Sequence, residues 1–335
     1  MALRAAIAGA GLMGRWHADA VARTGGRVAV VLDRDAGAAA RLARTLEGAR
    51  PARVLGEVLA AGGIDVLHVC TPLESHAELV EAALRRGVSV LVEKPMAATA
   101  AETERLYRVA AEHGASLCPV HQFPFQRGVA RARAQAPRLG RLRHLDARFC
   151  SAGGAGRSGA ALDAIVADVL PHPLSLIETF VPGAIGARPD AWIAMRPAPG
   201  ELRATLTTRD ACFSILVSLS SRPTTATLEL LGSDATIRLN LFHGFSTLDP
   251  GAVSRVKKAM HPFERSSRTL VAAGANLARR AVSAEPAYPG LRALVEAFHA
   301  SVGRGSAPPI APDEVIAIAA VRDALGPAGH PAATH

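Results

Sequence analysis

The chain has 335 residues, 49% of them apolar, 20% charged and 4% aromatic, with a formal charge of +9. That length and apolar share suit two domains with sizeable cores. They exclude a disordered, collagen-like or cystine-stapled chain.

The opening residues, MALRAAIAGAGLMG, lack a separate basic region and a cleavage site. They read as a buried strand (3–8) running into a turn, not as a signal peptide. The pattern Gly9-x-Gly11-x-x-Gly14 follows at once, then a helix over 13–24 and a second buried strand, 28–32, that stops at Asp33. Helices are expected over 35–47, 53–61, 75–86 and 100–113, and strands over 64–70, 89–92 and 116–120. Strands alternating with helices of 10–15 residues predict a doubly wound parallel sheet with right-handed crossovers. The first domain is therefore expected over 1–122.

After HQFPFQ (121–126), read as the domain-crossing segment, the rhythm changes. A basic helix (126–136) leads to a strand (141–150), a glycine-rich loop and a helical stretch at 174–181. Strand-like segments follow at 190–195, 201–208 and 211–220. The pair 225–231 and 235–242, joined by Gly232-Ser233-Asp234, carries a hairpin signal. Consecutive strands without intervening helices predict an α+β domain over 123–335, built on an open, mainly antiparallel sheet. Residues 289–303 and 312–324 read as closing helices and 327–335 as a frayed tail. Residues 243–288 read as an insert. Between Arg255 and Arg280 it holds seven basic residues and one acid, Glu264. The plain reading is a helix packed on the open sheet; the functional one is a roof over the substrate site.

The chemistry-bearing residues gather at predicted strand ends. Gly9, Gly11 and Gly14 supply a tight turn, close approach of backbone to a diphosphate, and close packing of helix on sheet. The diphosphate would meet N–H groups near Leu12 and Met13. Asp33 can accept both adenosine ribose hydroxyls and repel a 2′-phosphate, which favours NAD over NADP; Arg34 could still receive that phosphate. Thr71-Pro72 and Glu93-Lys94-Pro95 also end parallel strands, where a doubly wound sheet binds ligands. His76 either caps the following helix or lines the crevice.

Only three of 38 basic residues are lysines, and Lys94 is the first of them. Arginine dominates the basic set and alanine makes up about a fifth of the chain, so the positive charge reads as compositional bias. No basic run with interleaved aromatics is present, so no nucleic-acid partner is expected. A lysine at position 94, in a chain that otherwise uses arginine, points to a role that a guanidinium cannot fill.

Asp168 and His172 are four apart, a spacing that on a helix shares one face. Pro171 and Pro173 fit a helix start there rather than an interior. A carboxylate beside an imidazole makes an acid/base pair; a buried structural pair is the alternative, and Asp163 competes for the carboxylate role. No third ligand stands at metal spacing, so no metal is expected. His121 and Gln122 are candidates to face nicotinamide or substrate, with Phe123 and Phe125 read as core. Cys70, Cys118, Cys150 and Cys212 lie far apart with no CxxC pair, as reduced thiols of a cytoplasmic protein would. No run of 18 apolar residues stands out, so no membrane span is expected.

With these residues in place, the chain resembles the Gfo/Idh/MocA family of NAD(P)-dependent oxidoreductases over nearly its full length. The matching pieces are 6–20, the Asp33 strand end, 70–95, 168–172, 228–240 and 291–314. The resemblance implies a Rossmann domain followed by an α/β domain whose open sheet forms homodimer or homotetramer interfaces. It further implies that Glu93-Lys94-Pro95 is the family's EKP motif with Pro95 cis, and that Lys94, Asp168 and His172 are its catalytic set. The chain departs from the family in having Gln122-Phe123 where an Arg-Phe pair is common. Leu170 and Pro171 stand in the usual Asp-x-Gly-x-His segment, and only Ser175 offers a polar group beyond the histidine. The expected function is hydride transfer between NAD and a secondary hydroxyl or ketone of a polyol, sugar or sugar derivative. Three alternatives stay open: the same chemistry on a secondary-metabolite intermediate, redox-assisted elimination or hydrolysis with NAD recycled, and a non-catalytic NAD sensor.

Overall fold

The computed structural model describes residues 2–186, 189–251, 254–283 and 287–326; the predicted tail, 327–335, lies outside them. The chain divides into two compact units, one of residues 1–121 with 291–320, the other of residues 122–290 with 321–335.

The first unit is built on a six-stranded parallel sheet, ordered β3-β2-β1-β4-β5-β6. Its strands are β1 (Arg4–Ala8), β2 (Arg27–Leu32), β3 (Arg50–Ala52), β4 (Val66–Val69), β5 (Ser89–Val92) and β6 (Leu117–Pro119). Every residue of β4 and β5 is buried, which is why they read as unbroken apolar runs. The helices between them are α1 (Leu12–Arg23), α2 (Ala36–Ala43), α3 (Leu55–Ala61), α4 (His76–Leu84) and α5 (Ala100–Glu112). Strand β3 escapes the sequence reading because it is three residues long and carries Pro51, tolerated only at a sheet edge. Strand order reverses between β1 and β4, so the ligand crevice opens at their carboxyl ends. Helix α10 (Leu291–Arg304) packs on α1 in this unit, burying Leu291, Leu294, Val295 and Phe298.

The second unit carries a seven-stranded sheet, ordered β13-β12-β11-β7-β10-β9-β8. Its strands are β7 (Leu142–Cys150), β8 (Ile193–Met195), β9 (Glu201–Thr207), β10 (Cys212–Ser218), β11 (Thr225–Gly232), β12 (Ala235–Asn240) and β13 (Phe245–Pro250). All pairings are antiparallel except β7 with β10, and β11–β12 is the expected hairpin. Alternation sets the two faces. Leu145, Ala147, Phe149, Phe213, Ile215, Leu228 and Ile237 are buried, while Asp146, Arg148, Thr227, Glu229 and Arg238 stand exposed or half-buried opposite. Helices α7 (Gly159–Val169) and α8 (Pro171–Phe180) pack on β7, β9 and β10; α6 (Arg127–Gln135) lies against β12 and β13.

Together α7 and α8 form one 22-residue stretch whose length and mean hydropathy, 1.4, would suffice to cross a membrane. It is not an unbroken apolar run, since Asp163, Asp168, His172 and Glu178 interrupt it. The two helices part at Leu170, just before Pro171, and pack against the sheet. Segment 243–288 contains β13 and the 28-residue helix α9 (Arg255–Val282), which runs beside that edge strand. Helix α11 (Pro312–Leu325) comes last in the described chain.

Candidate active site

At the head of the parallel sheet the glycines do separable work. Gly9 has φ +99°, and a Cβ there would stand 2.7 Å from the Cys70 carbonyl oxygen. At Gly14 a Cβ would overlap the Gly9 carbonyl, so only glycine lets α1 pack on the turn. A Cβ on Gly11 would meet nothing within 4 Å, so the backbone there borders open space. Gly11 is also the N-cap of α1 and has no side chain to offer its first-turn N–H groups. Asp35, Thr99 and Ser158 cap α2, α5 and α7. An uncapped, acid-free first turn beside open space fits a diphosphate. Leu12 is exposed there and Met13 half-buried.

Asp33 closes β2 beside this turn. Its Oδ2 accepts from the Ala10 N–H at 2.7 Å and its Oδ1 from the Asp35 N–H at 2.9 Å. The first bond holds the carboxylate against the glycine turn and the second ties it to the start of α2, while each oxygen keeps a further lone pair for a ribose hydroxyl. Arg34 is exposed at the next position.

The ends of β4 and β5 are tied together by His76. This buried ring sets Nε2 2.8 Å from the Thr71 carbonyl and Nδ1 2.9 Å from the Pro95 carbonyl. Both ring nitrogens are thus turned to backbone, which makes His76 a brace between the Thr71-Pro72 and Glu93-Lys94-Pro95 segments. The Lys94–Pro95 peptide is cis, as the family resemblance implies. Glu93 accepts from the Lys94 N–H at 3.2 Å and meets His17 Nε2 at the same distance.

In the second unit Asp168 lies near the end of α7 and His172 in the first turn of α8. The prolines sit at the helix start, as their geometry demands. The His172 ring lies 4.5 Å from Phe123 and 6.2 Å from Phe149, centroid to centroid, the latter nearly parallel. Phe123 is therefore a flanking wall of the histidine rather than plain core; Phe149 was not singled out from sequence. Asp163 is spoken for: its Oδ1 accepts from the Gly200 N–H at 2.9 Å, joining α7 to the turn before β9. Ser175 donates to the His172 carbonyl, a bond internal to the helix. His121 and Gln122 are both buried.

All four cysteines are free thiols. Burial pushes Cys70 and Cys118 well up, the charge of Glu93 adding to the effect at Cys70, so neither is a nucleophile at neutral pH. Among the described residues no group of three or more His, Cys, Asp or Glu side chains is arranged to hold a metal.

One buried group was not predicted. His17, His68 and His299 touch ring to ring within the first unit. Burial, with the neighbouring histidines adding to it, drives His68 well below the ordinary histidine range; burial brings His299 to about 4. The available signal was a histidine inside the otherwise apolar parallel strand VLHV.

Comparison with known proteins agrees with this geometry. Residues 3–121 match the oxidoreductase family with an NAD-binding Rossmann fold, Gfo/Idh/MocA. The myo-inositol dehydrogenase Hyg17 of Streptomyces leeuwenhoekii is 37% identical over 142 residues, which are 42% of this chain and 43% of that protein. The match thus spans less than half the length of this relative. Two solved structures share the fold across the chain. One is KijD10, a 3-ketoreductase from Actinomadura kijaniata, in complex with TDP-benzene and NADP. Its TM-score is 0.72 at 20% identity, covering 97% of both chains. The other is GenD2 from gentamicin A biosynthesis, in complex with NAD, with a TM-score of 0.67 at 20% identity, covering 96% of this chain and 93% of that one. Through residues 3–121, the glycine turn and the strand-end motifs they contain, the chain matches the NAD-binding Rossmann domain of the Gfo/Idh/MocA oxidoreductase family.

Proposed function

We propose that the protein transfers hydride between a nicotinamide dinucleotide, NAD in preference to NADP, and a secondary hydroxyl or ketone on a sugar-like small molecule. The observation that carries this reading is the carboxyl edge of the first sheet. There the open Gly11 backbone, the uncapped start of α1 and the braced Asp33 carboxylate adjoin the Thr71 and Lys94 segments. Several of the relatives are inositol dehydrogenases, which supports the substrate class.

The bound nicotinamide would supply the hydride acceptor or donor. His172 takes the hydroxyl proton in oxidation and returns it in reduction, its ring clustered with those of Phe123 and Phe149. Asp168 fixes the tautomer and stabilises the imidazolium. Lys94 offers a compact ammonium to the developing oxyanion. Asp33 accepts the adenosine ribose hydroxyls and repels a 2′-phosphate. We place the enzyme in the cytoplasm, as a dimer or tetramer joined through the polar face of its second sheet.

The test pairs a fluorescence titration with an assay of cyclic polyols, sugars and their ketones. NADH is expected to bind at least about tenfold tighter than NADPH, or about 1.4 kcal/mol. His172→Ala should keep NADH affinity and lose at least about a hundredfold in turnover, the lower end of the usual worth of a placed acid/base group. Tighter NADPH binding would transfer the adenosine phosphate to Arg34. Undiminished turnover in His172→Ala would remove it from the chemistry.

A further inference from the structure

Glu93, His17, His68 and His299 form one unbroken line of polar contacts inside the first unit. Glu93 Oε1 meets His17 Nε2 at 3.2 Å, His17 Nδ1 meets His68 Nδ1 at 2.9 Å, and His68 Nε2 meets His299 Nε2 at 2.9 Å. The rings cross edge-on, with centroids 5.2 and 5.1 Å apart. His17 and His68 are fully buried and His299 nearly so. Direct nitrogen-to-nitrogen contacts of this length are hydrogen bonds, so each must hold one proton.

That requirement assigns every ring proton. An ionised Glu93 only accepts, so His17 donates from Nε2. A neutral imidazole has one N–H, so His17 accepts at Nδ1, His68 donates there and accepts at Nε2, and His299 donates from Nε2. His299 Nδ1 is left as an acceptor at the end of the line. The depressed basicity of His68 and His299 agrees with neutral rings.

The line has two ends in different places. Glu93 directly follows β5, at the carboxyl edge of the sheet and next to Lys94. His299 Nδ1 lies 3.3 Å from where a Cβ on Gly26 would stand. Gly26 precedes β2, at the amino edge, and helps line a surface pocket of about 380 Å³ with Arg27 and Glu47.

We propose that these four side chains are a proton relay crossing the sheet, linking the cofactor edge to solvent at the opposite edge. The relay's role in turnover rests on the hydride-transfer reading above. A proton binding His299 Nδ1 releases the Nε2 proton to His68 Nε2. His68 passes its Nδ1 proton to His17 Nδ1, and His17 passes its Nε2 proton to Glu93. One proton enters, one arrives on the carboxylate, and no other bond changes. The reverse shift, starting from protonated Glu93, carries a proton out. Ketone reduction consumes a proton and alcohol oxidation releases one, so the site needs such a path when substrate shields it from water.

The test uses the full chain labelled with ¹⁵N-histidine and reads ring tautomers by long-range ¹H–¹⁵N spectra at neutral pH. The expected protons are at Nε2 of His17, Nδ1 of His68 and Nε2 of His299. A single ring with the opposite tautomer breaks the line and overturns the relay. The exchange of the His68 ring proton with water is then compared with that in His299→Gln. Glutamine keeps an N–H donor for His68 but has no second ring nitrogen to receive a proton. Exchange is expected to slow by at least about tenfold, against the 10²–10⁴ typical of a placed proton-transfer group, with melting temperature and NADH affinity unchanged. Unchanged exchange overturns the proposal. If His299→Gln does not fold, His68→Gln read at the His17 ring replaces it, with the same two outcomes.

With a polyol that the wild type oxidises, His299→Gln should lower kcat, leave KM alone and recover with added imidazole. An unaltered kcat would deny the relay a part in turnover. If no polyol, sugar or ketone reacts at all, the functional reading fails, while the tautomer and exchange measurements still decide whether the relay exists.

Discussion

Helices α10 and α9 are both amphipathic, and they face opposite ways. On α10 the apolar stripe is inward: Leu291, Leu294, Val295 and Phe298 are buried, and His299 joins the buried histidine line. On α9 the apolar stripe is outward, with Phe263 70%, Leu270 74% and Leu277 71% exposed. Its polar face is the one tied to the protein. Asp249 on β13 pairs with Arg238 and lies 3.5 Å from Arg268 and 4.0 Å from Arg265. Farther along, Asn276 and Arg280 donate to the His243 carbonyl at 2.9 and 3.2 Å. The difference teaches that periodicity predicts a helix, whereas the partner available to each face decides which one turns inward. For α10 that partner is an apolar sheet and helix layer; for α9 it is a carboxylate on an edge strand.

The largest expected contrast comes from one phenylalanine on each helix. Phe298→Ala should cost about 3–5 kcal/mol by leaving a cavity in a fully buried site. Phe263→Ala should stay within about 0.5 kcal/mol. Urea unfolding of both variants measures the pair, and equal losses would erase the contrast between the two helices.

Acid should sharpen it next. In the unfolded chain His299 takes a proton near pH 6.5, but in the native chain only near 4. The unfolded state therefore binds more protons between those values, and stability falls as pH drops through that window. At about 1.4 kcal/mol per pKa unit, His299 alone accounts for about 3 kcal/mol, with His68 acting in the same direction. Unfolding free energy measured from pH 7 to pH 4 should show this slope, and His299→Gln should flatten it. A flat wild-type profile would mean that the histidine line already carries charge.

The smallest effect concerns the anchor of α9. Asp249→Asn should cost about 1–2 kcal/mol, less than a fully buried pair because the arginines reach water. Limited proteolysis within 255–282 should quicken in the variant, and high salt should narrow its difference from wild type. Equal cleavage rates at low salt would show that Asp249 does not hold the helix.

The alternation of apolar strands and helices, the glycine spacing, Asp33 and the Glu93-Lys94-Pro95 segment were all legible in the sequence. Each is a local pattern: a period, a turn residue or a strand end states its own geometry without reference to distant residues. The β11–β12 hairpin and the helix start at Pro171 were legible for the same reason. Strand β3 was not, because three residues make no period. Neither was the role of Asp163, whose backbone partner Gly200 lies 37 positions away. His76 as a brace, Phe149 beside His172, and the inward polar face of α9 depended on which segments the fold apposes. The histidine line is the clearest case. Residues 17, 68 and 299 share no spacing, and only packing of α1 and α10 against the sheet makes their rings meet. Burial then removes water, leaving each ring the next as its hydrogen-bond partner.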